Sequence, residues 1–185
     1  SKKILHVKKV KSLNKSLQKQ IISDLKKIKI KQKNFSNLNF LKIPNIMGVL
    51  NLTPDSFSDG GKFNNKNSGI AKAIQMFASG ANIIDVGGES TRPGSKTVLS
   101  NMEWRRIKKI VKNFKKTHKK TCLSIDTRKS EVMVKAIKYR ADLINDVSGF
   151  NYDSKSLLIL KNRNISKVLH HMQGTPNTMQ KNPKY

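Results

Sequence analysis

Cysteine is nearly absent: the 185-residue chain has one, Cys122, so no internal disulfide can form. A lone thiol suits a reducing compartment, and its neighbours Leu123 and Ile125 point to a buried, inert strand position. Apolar residues are also scarce at 36%, and no run of them approaches the roughly 20 residues needed to cross a bilayer. The basic N-terminus lacks a continuous apolar stretch of signal-peptide length. The expectation is a cytoplasmic chain with no membrane partner. Aromatics make up 6% and do not interleave with the basic runs KKIKIKQKNFSNLNF and KKIVKNFKKTHKK, which removes the stacking platform of single-strand binders. Acids are the scarcest class of charge: Asp+Glu 11 against Lys+Arg 38 gives +27. Such an excess first suggests a polyanion ligand. The lysines, however, are spread through Asn-rich surroundings along the whole chain, so nucleic acid is not the expected partner. There is no Walker loop, dinucleotide fingerprint, HExxH or paired-cysteine spacing.

What is present divides at about residue 44. Residues 1–44 hold many lysines, one acid (Asp24) and a helical spacing through Leu13, Leu17, Ile21 and Leu25, which predicts a basic helical extension without chemistry of its own. Residues 45–185 alternate short apolar runs with helical patterns. Strands are expected at Ile46–Leu50, Asn82–Val86, Leu123–Ile125, Asp142–Val147 and Lys167–His171. Helices are expected at Ile70–Ala78, with Ala71, Ile74, Phe77 and Ala78 on one face; around Trp104, Ile107, Val111 and Phe114; at Ser130–Tyr139; and at Ser154–Leu160. Alternation of this kind gives parallel strands joined by crossovers.

Polar residues fall at the ends of these strands. Asn51, Asp85, Asp126, Asn145 and His171 each close a different one, at the end where α/β folds gather ligands. Each could equally be a structural hydrogen-bonder or a helix cap. After the first strand, NLTPDSFSDGG carries an aromatic, Phe57, and two acids, Asp55 and Asp59, suited to a loop that closes over a ligand. After the second, GGESTRPG offers glycines, hydroxyls at Ser90 and Thr91, and the fork of Arg92, a set that suits phosphate oxygens. Asp126 in SIDTRKS and Asn145 in NDVSG place a carboxylate and a carboxamide where they could read the donor-rich edge of a pterin or purine-like heterocycle. Asp146 should face the other way and cap a turn. His170 and His171 face opposite sides of a strand and would not chelate one ion together.

In order and spacing, MGVLNLTPDSFSDGG, IIDVGGESTRPGS, SIDTRKSEV, LINDVSG and HMQGTPNTMQ resemble the pterin-binding family, and within it the dihydropteroate synthases, across roughly residues 45–185. The resemblance implies a (β/α)8 TIM barrel, here about its first five βα units. It also implies transfer of para-aminobenzoate onto the methylene carbon of 6-hydroxymethyl-7,8-dihydropterin diphosphate, with release of pyrophosphate. Residue by residue, it implies Mg²⁺ at Asn51, diphosphate contact by Thr91, anion and loop stabilisation by Arg92, and pterin contacts from Asp126 and Asn145. Phe57 and Pro93 would shape the para-aminobenzoate pocket, Asp59 would order the closing loop, and Asp85 would support the network. Asp126 and Arg92 are the expected catalytic residues. The family's later DPGFGF-type and SRK-type segments have no counterpart, so the chain is expected to be a fragment, inactive by itself, of an enzyme that pairs as a homodimer. Two alternatives are a pterin-binding methyltransferase domain, against which the STRPG and TPDSFSDGG loops speak, and a non-catalytic basic binder of RNA or membrane surface.

Overall fold

The computed structural model describes residues 7–30, 34–35, 38–39, 44–53, 68–90, 95–171 and 178. They belong to two compact units, Ser1–Lys33 and Asn34–Tyr185. In the first unit a 3-10 helix (Val7–Ser12) leads into α1 (Lys15–Lys29). Asn14 caps α1, its side-chain oxygen accepting from the Leu17 N–H at 2.9 Å, which satisfies one of the amides a helix start leaves open. Leu17, Ile21 and Leu25 form the expected stripe, and no residue of α1 is buried.

The second unit opens with an antiparallel pair, β1 (Asn34–Phe35) and β2 (Leu38–Asn39). Five parallel strands follow: β3 (Met47–Asn51), β4 (Ile83–Gly87), β5 (Cys122–Asp126), β6 (Leu143–Asp146) and β7 (Ser166–Leu169). Between them run α2 (Ser68–Ala78), α3 (Ser100–Thr117), α4 (Ser130–Lys138) and α5 (Lys155–Lys161). Among the described residues these five strands pair with their neighbours in sequence, in the order β3-β4-β5-β6-β7. A doubly wound sheet reverses strand order at a switch point, whereas a βα barrel never does. The arrangement is the N-terminal part of a (β/α)8 barrel, as expected.

Alternation along the strands makes two different surfaces. Leu50, Ile84, Val86, Leu123, Ile125 and Ile144 face the helices and join Ile107, Ile110, Val111, Phe114, Val132, Met133 and Leu160 in the main core. On the other face, Ile83, Cys122 and Leu143, at the N-terminal ends of their strands, pack with Leu38. Leu38 falls within the expected 1–44 extension, yet it is 5% exposed and packs with the second unit. Burial pushes the Cys122 thiol up to about 12, with Asp142 adding to the effect, so the thiol is inert near neutrality.

Three expectations are corrected. The inward face of α2 is built on Ala73, fully buried, with Ile70 and Met76, while Ile74 and Phe77 are 40% and 42% exposed. Small residues set that face: a Cβ on Gly69 would already stand 3.0 Å from Ile110 Cδ1 and 3.1 Å from Leu52 Cδ2. In α3, Ile110 takes the buried place and Trp104 lies at the rim, stacked on Tyr139. β7 ends at Leu169, so His170 and His171 lie beyond the ladder, both exposed. The reason is its partner: Leu169 pairs with Asp146, after which the chain turns, the Gly149 N–H donating to the Asp146 carbonyl.

The α2 seating is testable by urea unfolding. Ala73→Leu should cost about 1–3 kcal/mol through overpacking, and Ile74→Ala less than about 1 kcal/mol. The reverse order would restore the sequence-derived face.

Candidate functional site

Ladder register brings the strand ends together. Asn51 pairs with Gly87, Gly87 with Asp126, Asp126 with Asn145, and Asn145 with Val168. Residues in one row of a parallel sheet share a face, so Asn51, Asp126 and Asn145 project from the same surface at the C-terminal ends of β3, β5 and β6. Gly87 leaves a gap between them. A Cβ there would lie 3.1 Å from Asn51 Oδ1 and 3.3 Å from Asp126 Oδ2, so two oxygens converge over a backbone bare of side chain.

One row below, Asp85 is buried. Its carboxylate accepts from the Ser124 hydroxyl and, at 3.0 Å, from Asn145 Nδ2. Burial raises its pKa and the two hydrogen bonds only partly offset that. Donation from Nδ2 to Asp85 fixes the orientation of the Asn145 amide and so the direction in which Oδ1 can accept. Asp126 has the opposite circumstance. Among the described residues no donor reaches its carboxyl, although the other described acids of this unit all accept hydrogen bonds. Burial, then repulsion from Asp85, Glu103, Asp146 and Glu89, lifts its pKa to about 7. It is a desolvated carboxyl at the C-terminal end of β5 with no partner among the described residues.

Beside this row lies an ion-pair network that the motifs contain but sequence reasoning assigned no role. Glu89 Oε2 accepts from Arg128 Nε and Lys129 Nζ, both at 2.8 Å. Lys129 also reaches Glu103 Oε2 at 2.6 Å, although Glu103 is fully buried in α3. Burial alone would raise the Glu89 pKa, but Arg128 and Lys129 hold it below the usual carboxylate range. Arg106 donates to the Gly88 carbonyl at 2.7 Å. Gly88 must be glycine, because a Cβ would come within 2.8 Å of the Glu103 backbone oxygen. The available signal was scarcity: with so few acids, each one beside a strand end was a candidate.

Of the sequence-derived site residues, the structure unites Asn51, Asp126 and Asn145. Asp85 is corrected from a strand-end group to one in mid-strand, beneath the surface row, because β4 runs on to Gly87. His171 does not join the row. Asp146 faces away and caps its turn, accepting from the N–H and the hydroxyl of Ser148, as expected. Phe57, Asp59, Thr91, Arg92 and Pro93 lie outside the described residues. Among the described residues no group of three or more His, Cys, Asp or Glu could hold a metal ion, and no helix is long and apolar enough to cross a membrane.

Comparison with known proteins bears on this arrangement. The profile of the family described as "Pterin binding enzyme" matches residues 47–185. The dihydropteroate synthase of Neisseria meningitidis serogroup B is 42% identical over 144 residues, covering 77% of this chain and 50% of the relative. Among solved structures, the Clostridium difficile dihydropteroate synthase in the presence of pteroic acid aligns with a TM-score of 0.65 at 42% identity, covering 71% of this chain and 50% of that one. The Xanthomonas albilineans dihydropteroate synthase with 4-aminobenzoic acid aligns with a TM-score of 0.65 at 36% identity, covering 71% and 48%. The chain therefore spans about half the length of the relatives it matches.

The electrostatics of Asp126 give a pH signature. Its folded pKa is raised, so between about 4 and about 7 the folded state holds a proton that the unfolded state has lost, and stability falls as pH rises through about 7. Asp126→Asn lacks this loss. Its stability relative to wild type should increase by on the order of 2 kcal/mol from about pH 5 to about pH 8 in urea titrations. Parallel pH dependences would refute the assignment.

Proposed function

The chain belongs to the pterin binding enzyme family, and on that footing we propose that it is the part of a dihydropteroate synthase that carries the first five βα units. The reaction would join para-aminobenzoate to the methylene carbon of 6-hydroxymethyl-7,8-dihydropterin diphosphate and expel pyrophosphate. The observation that carries this reading is the row of Asn51, Asp126 and Asn145 around Gly87, with no donor to Asp126 among the described residues and Asn145 locked by Asp85.

A pterin presents adjacent N–H donors along one edge. Asp126 and the Oδ1 of Asn145 are acceptors side by side on neighbouring strands, and they match that edge. Heterocycle donors would supply hydrogen bonds that no described residue gives Asp126, favouring its ionised form. The carboxylate would then also stabilise positive charge as the carbon–oxygen bond to the diphosphate breaks ahead of amine attack. Thr91 and Arg92 would hold the departing anion, Phe57 and Pro93 would form the wall against the aromatic amine, and Asp59 would order the loop that closes over it. Complexes with pteroic acid and 4-aminobenzoic acid in the related proteins support these ligand classes.

Magnesium fits one position. Asn51 is exposed and its Oδ1 stands over the Gly87 gap, a single hard oxygen of the kind Mg²⁺ accepts when diphosphate and water complete its shell. Bound there, the ion would neutralise diphosphate charge. The reading also carries a cytoplasmic location, in keeping with the free thiol of Cys122, and a homodimer of barrels.

Calorimetric titration with the dihydropterin diphosphate and Mg²⁺ tests the assignment. Asp126→Asn and Asn145→Ala should each weaken binding about 10-fold to 100-fold. Unchanged affinity in both would remove the pterin reading.

A further inference from the structure

The two acceptors of the row become acceptors in different ways. An ionised Asp126 can do nothing but accept, whereas Asn145 carries an oxygen at one end of its side chain and two N–H groups at the other. The two ends are nearly equal in size, so packing cannot choose which of them faces the row. The main chain of Asn145 is already fixed: the residue pairs with Asp126, and its carbonyl accepts from the Thr127 N–H at 3.0 Å. What remains open is a half-turn of the amide, and the Asp85 carboxylate decides it. Asp85, 3% exposed, lies one row lower on β4 and reaches across β5 to accept from Asn145 Nδ2 at 3.0 Å. Its other oxygen accepts from the hydroxyl of Ser124, which is fully buried. Turning the Asn145 amide over would set Oδ1 against a buried carboxylate oxygen, two acceptors with no proton between them.

We propose that Asp85 is a positioning residue that sets the polarity of the row: by holding Asn145 Nδ2 it makes Asn145 an acceptor beside Asp126, and so selects a heterocycle edge with two adjacent N–H donors. The inference rests on the reading of Asp126 and Asn145 as pterin contacts. Asp85 itself touches no ligand. A ring with a carbonyl where the pterin has its amino group presents a donor beside an acceptor, and would meet oxygen with oxygen. Shape cannot reject such a ring, because the exchanged groups are of similar size; a fixed acceptor can.

The test is calorimetric titration, with Mg²⁺, of 6-hydroxymethylpterin diphosphate and of its 2-oxo counterpart, 6-hydroxymethyllumazine diphosphate, on wild type, Asp85→Asn and Ser124→Ala. Wild type should bind the pterin about 30-fold to 100-fold more tightly. Asparagine at position 85 can turn either an oxygen or an N–H toward Asn145, so both orientations of the Asn145 amide become admissible. The pterin preference should then fall at least about 5-fold. Ser124→Ala removes a buried hydrogen bond from the same carboxylate but leaves Asn145 held, so its preference should stay within about 2-fold of wild type. An unchanged preference in Asp85→Asn, with both ligands weakened alike or neither, would mark a merely structural role and overturn the proposal. An equal fall in Ser124→Ala would overturn it too. One measurement on wild type stands whether or not the variants fold: side-chain amide NMR should show an Asn145 Nδ2 proton at least about 10-fold slower to exchange than that of a free asparagine side chain, with and without bound pterin. Absence of that protection, or its loss on pterin binding, would overturn the proposal. A wild-type protein that binds both ligands equally would overturn it and leave the enzyme assignment standing. Failure to bind either would bring down the parent reading and this inference with it.

Discussion

Everything at the candidate site depends on the register of one parallel ladder. Asn51, Gly87, Asp126 and Asn145 come from four βα units and are neighbours only because β3, β4, β5 and β6 pair in step. A slip of one residue would turn every side chain of a strand to the opposite face. Asp126 would then enter the helix-side core and Ile125 would take its place in the row. The register is held by apolar side chains on the helix-facing surface, where Ile84, Val86, Leu123, Ile125 and Ile144 are fully buried. Hydrophobic burial on one side of the sheet thus guarantees the placement of polar groups on the other.

Upon that frame the protein distributes its few acids in two ways. Glu89 and Glu103 are matched against Arg128 and Lys129, which ties the end of β4 and helix α3 to the segment after β5. Asp126 has no such match among the described residues, and burial lifts its pKa to about 7. The contrast separates the two kinds: the paired acids tie segments together, and Asp126 lies at the strand ends with no donor among the described residues. Asp85 lies between these roles, hidden and hydrogen-bonded, orienting the Asn145 amide.

The alternation of strands and helices was legible in the sequence, since short apolar runs that end in polar residues and lead into helical patterns suit a parallel sheet and little else. The site residues at the ends of β3, β5 and β6 were legible for the same reason. The α2 face was not, because Gly69 and Ala73 carry almost no hydrophobic signal, and their smallness decides which side approaches β3. Asp85 was read as a strand-end group because β4 runs on past it to Gly87, and glycine at that position reads as loop. The tie from Arg128 to Glu89 joins residues 39 apart in sequence. Spacing within one motif cannot reveal a contact that exists only once adjacent units have docked.

The most direct test is an amide and side-chain amide NMR map of the protein titrated with 6-hydroxymethyl-7,8-dihydropterin diphosphate and Mg²⁺. The account predicts shifts that concentrate on Gly87, Asp126 and the side-chain amides of Asn51 and Asn145, and that leave Ile83, Cys122 and Leu143 at the opposite strand ends unmoved. Shifts confined to the lysines of α1, or spread evenly over the basic surface, would contradict it.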